Sequence, residues 1–328
     1  MAAFNATNII GKDRKNKLIT IGLKVFLPLA ALSYLVYKIF RGPSVSLSRI
    51  DEYLVFENTH LLGVILILSF VNWYIEAFKW KMVVKGYQPF TLIEAYKAVL
   101  AGLSISALLP FRVGEYIGRL TAIKNNRIKI SILNMLSGLT QLTWTVIFGL
   151  IILLMNLEKL WKFMAFSQSE ILKYVAFIIV VSGVVIAFLY HKKNWLRLIR
   201  ISAQSLSTIK KGHVIYSLWG LSGLRYLVFI IQFYLCFQVV NIDISLMHTF
   251  QIIGLMFFLM AFLPINQIVE LGATRALMII FLFGALGIDM EIADKIGITF
   301  IGFFIWLVNI AIPSLLGTYF LYQLRSID

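Results

Sequence analysis

The stretch LLPFRVGEYIGR, residues 108–119, decides how this chain is read. Pro110 interrupts a long apolar run, and Arg112, Glu115 and Arg119 follow before the sequence turns apolar again. Spacings of three and four residues put the three charges on one helical face, where they can form an ion-pair network. An ionisable side chain at the centre of a membrane helix costs about 2.5 to 3.5 kcal/mol on insertion scales. The stretch is therefore either a structural clasp or a binding site, and spacing alone does not choose. The surplus of arginine over glutamate leaves a positive remainder that calls for an anionic partner.

The flanks establish the setting. Of 328 residues, 60% are hydrophobic and 14% charged, whereas a soluble domain carries about 25% charged residues. Apolar runs long enough to cross a bilayer recur from end to end. The reading is an all-α polytopic membrane protein, a single membrane domain over 1–328, in the cell (inner) membrane. The formal charge of +15 lies in short clusters between apolar runs, with no continuous groove or arm, so it reports topology and argues against nucleic acid. The single Cys236 rules out an intrachain disulfide.

Working outward, six full spans are expected, near 18–40, 61–78, 130–156, 171–190, 214–240 and 296–322. Lys12, Arg14, Lys15 and Lys17 place the N-terminus in the cytoplasm, and the last span returns the C-terminus, with Arg325, to the same side. Residues 91–124 form an apolar hairpin that ends at the basic Lys124, Arg127 and Lys129, so it enters from the cytoplasm. A second hairpin turns at FLPINQIVELGATR, residues 262–275, and lies between Asp243 and the acidic Asp289, Glu291 and Asp294, so it enters from outside. Whether these hairpins are re-entrant or tilted spans, charge parity does not say. Glu158, Lys159, Lys162 and Glu170 mark an outer loop. Lys192, Lys193, Arg197 and Arg200 mark an inner one, where WLRLIRISAQSL, residues 195–206, reads as an amphipathic surface helix.

Residues 92–110 align with 246–264 without a gap, matching Leu92 to Leu246, Ala107 to Ala261, Leu109 to Leu263 and Pro110 to Pro264. Each half reads as span, hairpin broken at proline, span. The expectation is an inverted repeat, about 61–156 and 214–322, with two oppositely oriented hairpins and a site near the midplane. If Pro110 and Pro264 start the second arms, both helix N-termini point inward and favour an anion. Arg112, Arg119 and Arg275 add full charges. Glu270 and Arg275, five residues apart, make a poorer helical pair, which suits each better to meeting a ligand or the other hairpin, and Arg225, deep in its span, needs a partner such as Glu115 or Glu270. Glu76 and Lys97 are assigned to snorkelling near the cytoplasmic ends. Asn134, Gln141, Gln232 and Asn309 are assigned to interhelical packing.

The segment LLPFRVGEYIGRLTAIK, with Pro110, Arg112, Gly114, Glu115 and Arg119, resembles the first signature of the lysylphosphatidylglycerol synthase transmembrane-region, or flippase-like domain, family. LPINQIVELGATRAL resembles the second, although Asn266, Gln267, Ile268 and Val269 stand where many members have a glycine-rich loop, and Glu270 precedes Leu271 instead of following Leu-Gly. The resemblance extends over nearly the whole chain. It adds Pro264, Asn266, Gln267 and Gly272 to the candidate substrate-binding residues. Bifunctional members carry a soluble aminoacyl-transferase domain after the membrane part, and this chain ends at Asp328. The resemblance thus implies lipid translocation or handling and not lipid aminoacylation.

His60, His191, His213 and His248 are scattered, with no metal-ligand spacing, and neither a nucleophile elbow nor a phosphate-binding glycine loop occurs. No metal, cofactor or catalytic residue is expected. The leading reading is a transporter or flippase of an anionic lipid or lipid-linked precursor, its head group held between the two hairpin tips. A small-anion transporter uses the same geometry. A non-catalytic subunit for a separate membrane-associated lipid-modifying enzyme or glycosyltransferase is the third reading.

Overall fold

The computed structural model describes residues 56–108, 113–166, 213–261 and 271–325. The expected spans at 18–40 and 171–190, the stretch 195–206, and Pro110, Arg112, Pro264, Asn266, Gln267 and Glu270 lie outside the described residues. Every described element is a helix: α1 His60–Lys85, α2 Leu92–Leu108, α3 Val113–Leu120, α4 Arg127–Met155, α5 Leu157–Phe166, α6 His213–Val239, α7 Leu246–Met260, α8 Ala273–Ala285, α9 Ile292–Trp306 and α10 Ile312–Arg325. The last two join through a π-helical turn, Leu307–Ala311.

Four stretches, His60–Lys85, Arg127–Met155, His213–Val239 and Ile292–Gln323, are long and apolar enough to cross a membrane. At 1.5 Å per residue even the shortest exceeds the ~30 Å hydrocarbon thickness. The helix α1 shows why the chain is an integral membrane protein. Trp73, Ala77 and Trp80 are buried on one side, while Ile67, Phe70 and Tyr74 are exposed on the other. A helix apolar on both its packed and its exposed face is not at home in water.

The four helices α2, α3, α7 and α8 are shorter, and the eight-residue α3 is only about 12 Å long. The element order long, short, short, long thus occurs twice. Caps set where the short helices begin. Thr91 and Glu94 satisfy each other reciprocally, the Thr91 amide donating to Glu94 Oε2 at 2.7 Å and the Glu94 amide to Thr91 Oγ1 at 3.2 Å. Ser245 Oγ accepts from the His248 amide at 3.2 Å to start α7.

Glycines fix how the hairpin arms pack. A Cβ at Gly118 would lie 2.7 Å from the Ala101 carbonyl oxygen, and one at Gly114 would run into the backbone of Ile105 and Ser106. GEYIG, residues 114–118, is therefore a small-xxx-small seam that lets α3 lie backbone to backbone on α2. Gly317 does the same for α10 against Leu100 of α2, and Gly272 for α8 against Gly302 of α9.

The helix α8 begins at Ala273, after Gly272 at φ 81°, and glycine reaches that left-handed geometry without steric cost. Among the described residues one expectation is corrected. The stretch after Asn156 is the helix α5 and not a loop. Its charges pair along one turn, Glu158 with Lys162 at 2.6 Å, while Phe163 packs edge-on to Phe281 of α8.

Candidate functional site

The centre of the site is Glu76, which sequence reasoning assigned to snorkelling. It lies sixteen residues past His60 in α1 and is only 6% exposed. That is about 14 Å before the end of the helix at Lys85, too deep for a two-carbon stem to reach the surface. Its carboxylate instead joins three helices. Oε1 accepts from Arg119 Nη1 of α3 at 2.8 Å, and Oε2 accepts from Arg225 Nη1 of α6 and from Lys79 Nζ at 3.3 Å. Arg119 Nη2 also reaches Glu115 Oε2 at 3.3 Å, one turn back on α3. This is the expected intrahelical pair.

Two asparagines extend the network. Asn134 Oδ1 on α4 accepts from Arg119 Nη1 at 3.0 Å, and Asn72 Oδ1 on α1 accepts from Arg225 Nε at 2.5 Å. Two indoles flank the cations: Arg119 lies 5.9 Å from the Trp80 ring centre and Arg225 5.3 Å from that of Trp73, within the range of cation–π attraction. Arg119, Arg225, Lys79, Asn72 and Asn134 are all at most 4% exposed.

The described cluster therefore holds three cations, Lys79, Arg119 and Arg225, against two carboxylates, Glu76 and Glu115. Burying charge is tolerable only when pairing and hydrogen bonding compensate it. Among the described residues the pairing leaves one positive charge over. Such an arrangement can attract and hold an anion.

The structure brings together three of the sequence-predicted residues, Glu115, Arg119 and Arg225. Arg225, expected to need a partner such as Glu115 or Glu270, pairs with Glu76, because α6 packs along α1. Gly114 serves the α2–α3 seam. Gly272 and Arg275 belong to α8, which packs on α7, α9 and α5. Asn134, assigned to packing, is a member of the site. Gln232 does link spans, donating to the Ile65 carbonyl at 3.1 Å, while Asn309 bonds within its own helix to Ile305 at 3.2 Å. Lys97 is half-buried, with its ammonium 5.7 Å from the Phe320 ring centre.

Sequence reasoning missed Asn72, Glu76 and Lys79 as a unit. The available signal was their spacing of four and three in NWYIEAFK, residues 72–79, which draws one polar stripe down an otherwise apolar span.

The family pattern described as the lysylphosphatidylglycerol synthase TM region matches residues 19–311. The chain belongs to that family. No curated protein and no solved structure matches it. The matched region of this family member contains the whole described cluster, from Asn72 to Arg225.

Proposed function

We propose that the protein is a non-catalytic membrane transporter that moves an anionic lipid or lipid-linked precursor between leaflets. The observation that carries this reading is the buried cluster with one positive charge in excess among the described residues, in which Arg119 sits on a short hairpin arm and its counter-charge Glu76 on a full span. A hairpin arm joined to the rest by exchangeable ion pairs is an element that can move, and the surplus charge gives an anionic head group a reason to enter. The family takes its name from a synthase of a charged phospholipid, which favours a lipid substrate. In this reading the two halves form an inverted repeat. The first hairpin enters from the cytoplasm and the second, bearing Arg275, from the other side, and both termini are cytoplasmic.

The test uses proteoliposomes with a fluorescent phosphatidylglycerol reporter in one set and trapped radiolabelled phosphate in another. Arg119→Gln should abolish lipid movement per folded molecule, and Arg119→Lys should restore part of it, because an ammonium lacks the forked donor geometry of guanidinium. Phosphate flux without lipid movement would show a small-anion transporter. Wild-type rates in folded Arg119→Gln protein would remove the transport mechanism and leave a clasp.

A further inference from the structure

The cluster has a second property beyond its charge. Five of its buried polar atoms have no hydrogen-bond partner among the described residues: Asn72 Nδ2, Asn134 Nδ2, Arg119 Nε, Trp73 Nε1 and Trp80 Nε1. All five are N–H donors. The two amide orientations follow from chemistry, because a guanidinium only donates, so each asparagine must turn its oxygen to the arginine and its NH2 away. The five residues are at most 4% exposed. A buried donor without an acceptor is unfavourable, and five around one pair of arginines form a set that an acceptor-rich group would satisfy.

We infer that Glu76 is the displaceable counter-ion of a buried oxyanion site, in which Arg119 and Arg225 supply charge and the N–H groups of Asn72, Asn134, Trp73 and Trp80 supply hydrogen bonds to a phosphate group. The inference rests on the reading that the cluster takes an anion, and it specifies the ligand chemistry and the residue that occupies the site in its absence. A carboxylate offers two oxygens, and Glu76 already uses both on the cations. A phosphate offers more acceptor positions at similar charge, so exchanging Glu76 for phosphate keeps the cations paired and engages the orphan donors. Trp73 also connects the site to lipid. Its side chain lines an apolar pocket with Leu66, Phe70, Ile312 and Leu316, and Phe70 and Leu316 are exposed. Trp73 thus touches both Arg225 and an apolar, partly exposed surface.

The experiment measures binding to the full chain in detergent, by titration calorimetry, of inorganic phosphate and of short-chain phosphatidylglycerol, with short-chain diacylglycerol as the uncharged control. Binding does not require transport, so this result stands apart from the proteoliposome assay. Glu76→Gln, which removes the internal competitor, should tighten phosphate or phosphatidylglycerol binding about tenfold or more. Trp73→Phe with Trp80→Phe keeps an aromatic ring at each position and deletes two N–H donors, and in the folded variant it should weaken binding about tenfold or more, the effect of hydrogen bonds to a charged group. Binding of both probes at similar strength identifies free phosphate as sufficient, and binding of phosphatidylglycerol alone identifies the lipid; either supports the site. Absence of binding by both, or unaltered affinity in the folded double tryptophan variant, overturns it. Should Glu76→Gln fail to fold, the tryptophan pair still decides.

Discussion

Glu76 holds Arg119 at 2.8 Å across the boundary between a full span and an eight-residue hairpin arm, with both side chains buried. Removing either partner takes a charge from a buried network; a buried charge left wholly unpaired costs about 3 to 5 kcal/mol, and the remaining pairs, Glu76 with Arg225 and Lys79 and Arg119 with Glu115, lower that cost here. Arg119→Leu should therefore lower the thermal stability of the purified protein more than Lys162→Leu, whose ion pair with Glu158 is exposed. In a double-mutant cycle, Glu76→Gln and Arg119→Gln should show a coupling of about 0.5 to 3 kcal/mol. Strict additivity of the two unfolding free energies would show that the pair is not coupled.

The glycine seam predicts a steric asymmetry. Gly118→Ala must push a methyl group into the backbone of Ala101 and Gly102, and overpacking of this kind costs about 1 to 3 kcal/mol. Gly63→Ala and Gly220→Ala meet nothing within 4 Å and should be neutral or slightly stabilising, since alanine is the better helix former. Thermal unfolding of the three variants in one detergent is the check. Equal behaviour would mean that α2 and α3 do not touch as described.

The π-helical turn at Leu307–Ala311 shifts the local bonding pattern of the last span. Ser69 Oγ of α1 donates to the Val308 carbonyl there at 2.8 Å, buried. Ser69→Ala should cost about 0.6 kcal/mol, the average for such bonds in membranes, and at most about 1.7. Hydrogen exchange at residues 307–312 should rise in the variant. If exchange rises nowhere near this turn, the bond does not hold it.

Orientation is tested by labelling. In a Cys236→Ser background, where the natural thiol is buried, single cysteines at the exposed Lys124 and Asp289 should react with an impermeant maleimide from opposite faces in intact cells. Labelling of both from one face would remove the inverted repeat from the proposed function while leaving the Glu76 cluster intact.

The sequence by itself determined the class of molecule and most of its segmentation. Water cannot solvate apolar runs of twenty or more residues, and charge clusters punctuate them, so α1, α4, α6 and the last span were legible to within a few residues at most ends. The Glu115–Arg119 pair was also legible, because helical periodicity alone brings residues four apart onto one face. The structure alone decided which charge meets which across the chain. Arg225 pairs with Glu76, 149 residues away in sequence, because close packing of α6 on α1 brings the two helices together, and no local periodicity encodes that neighbour. Asn134 likewise looks like a packing residue until its oxygen is seen on a guanidinium group. The placing of Gly272, the residue before α8, is also tertiary. Its backbone lies against Gly302 of α9, and a Cβ there would collide with that neighbour. Periodicity reports one helix at a time, whereas the partner of a buried charge is set by which other helix supplies the counter-charge.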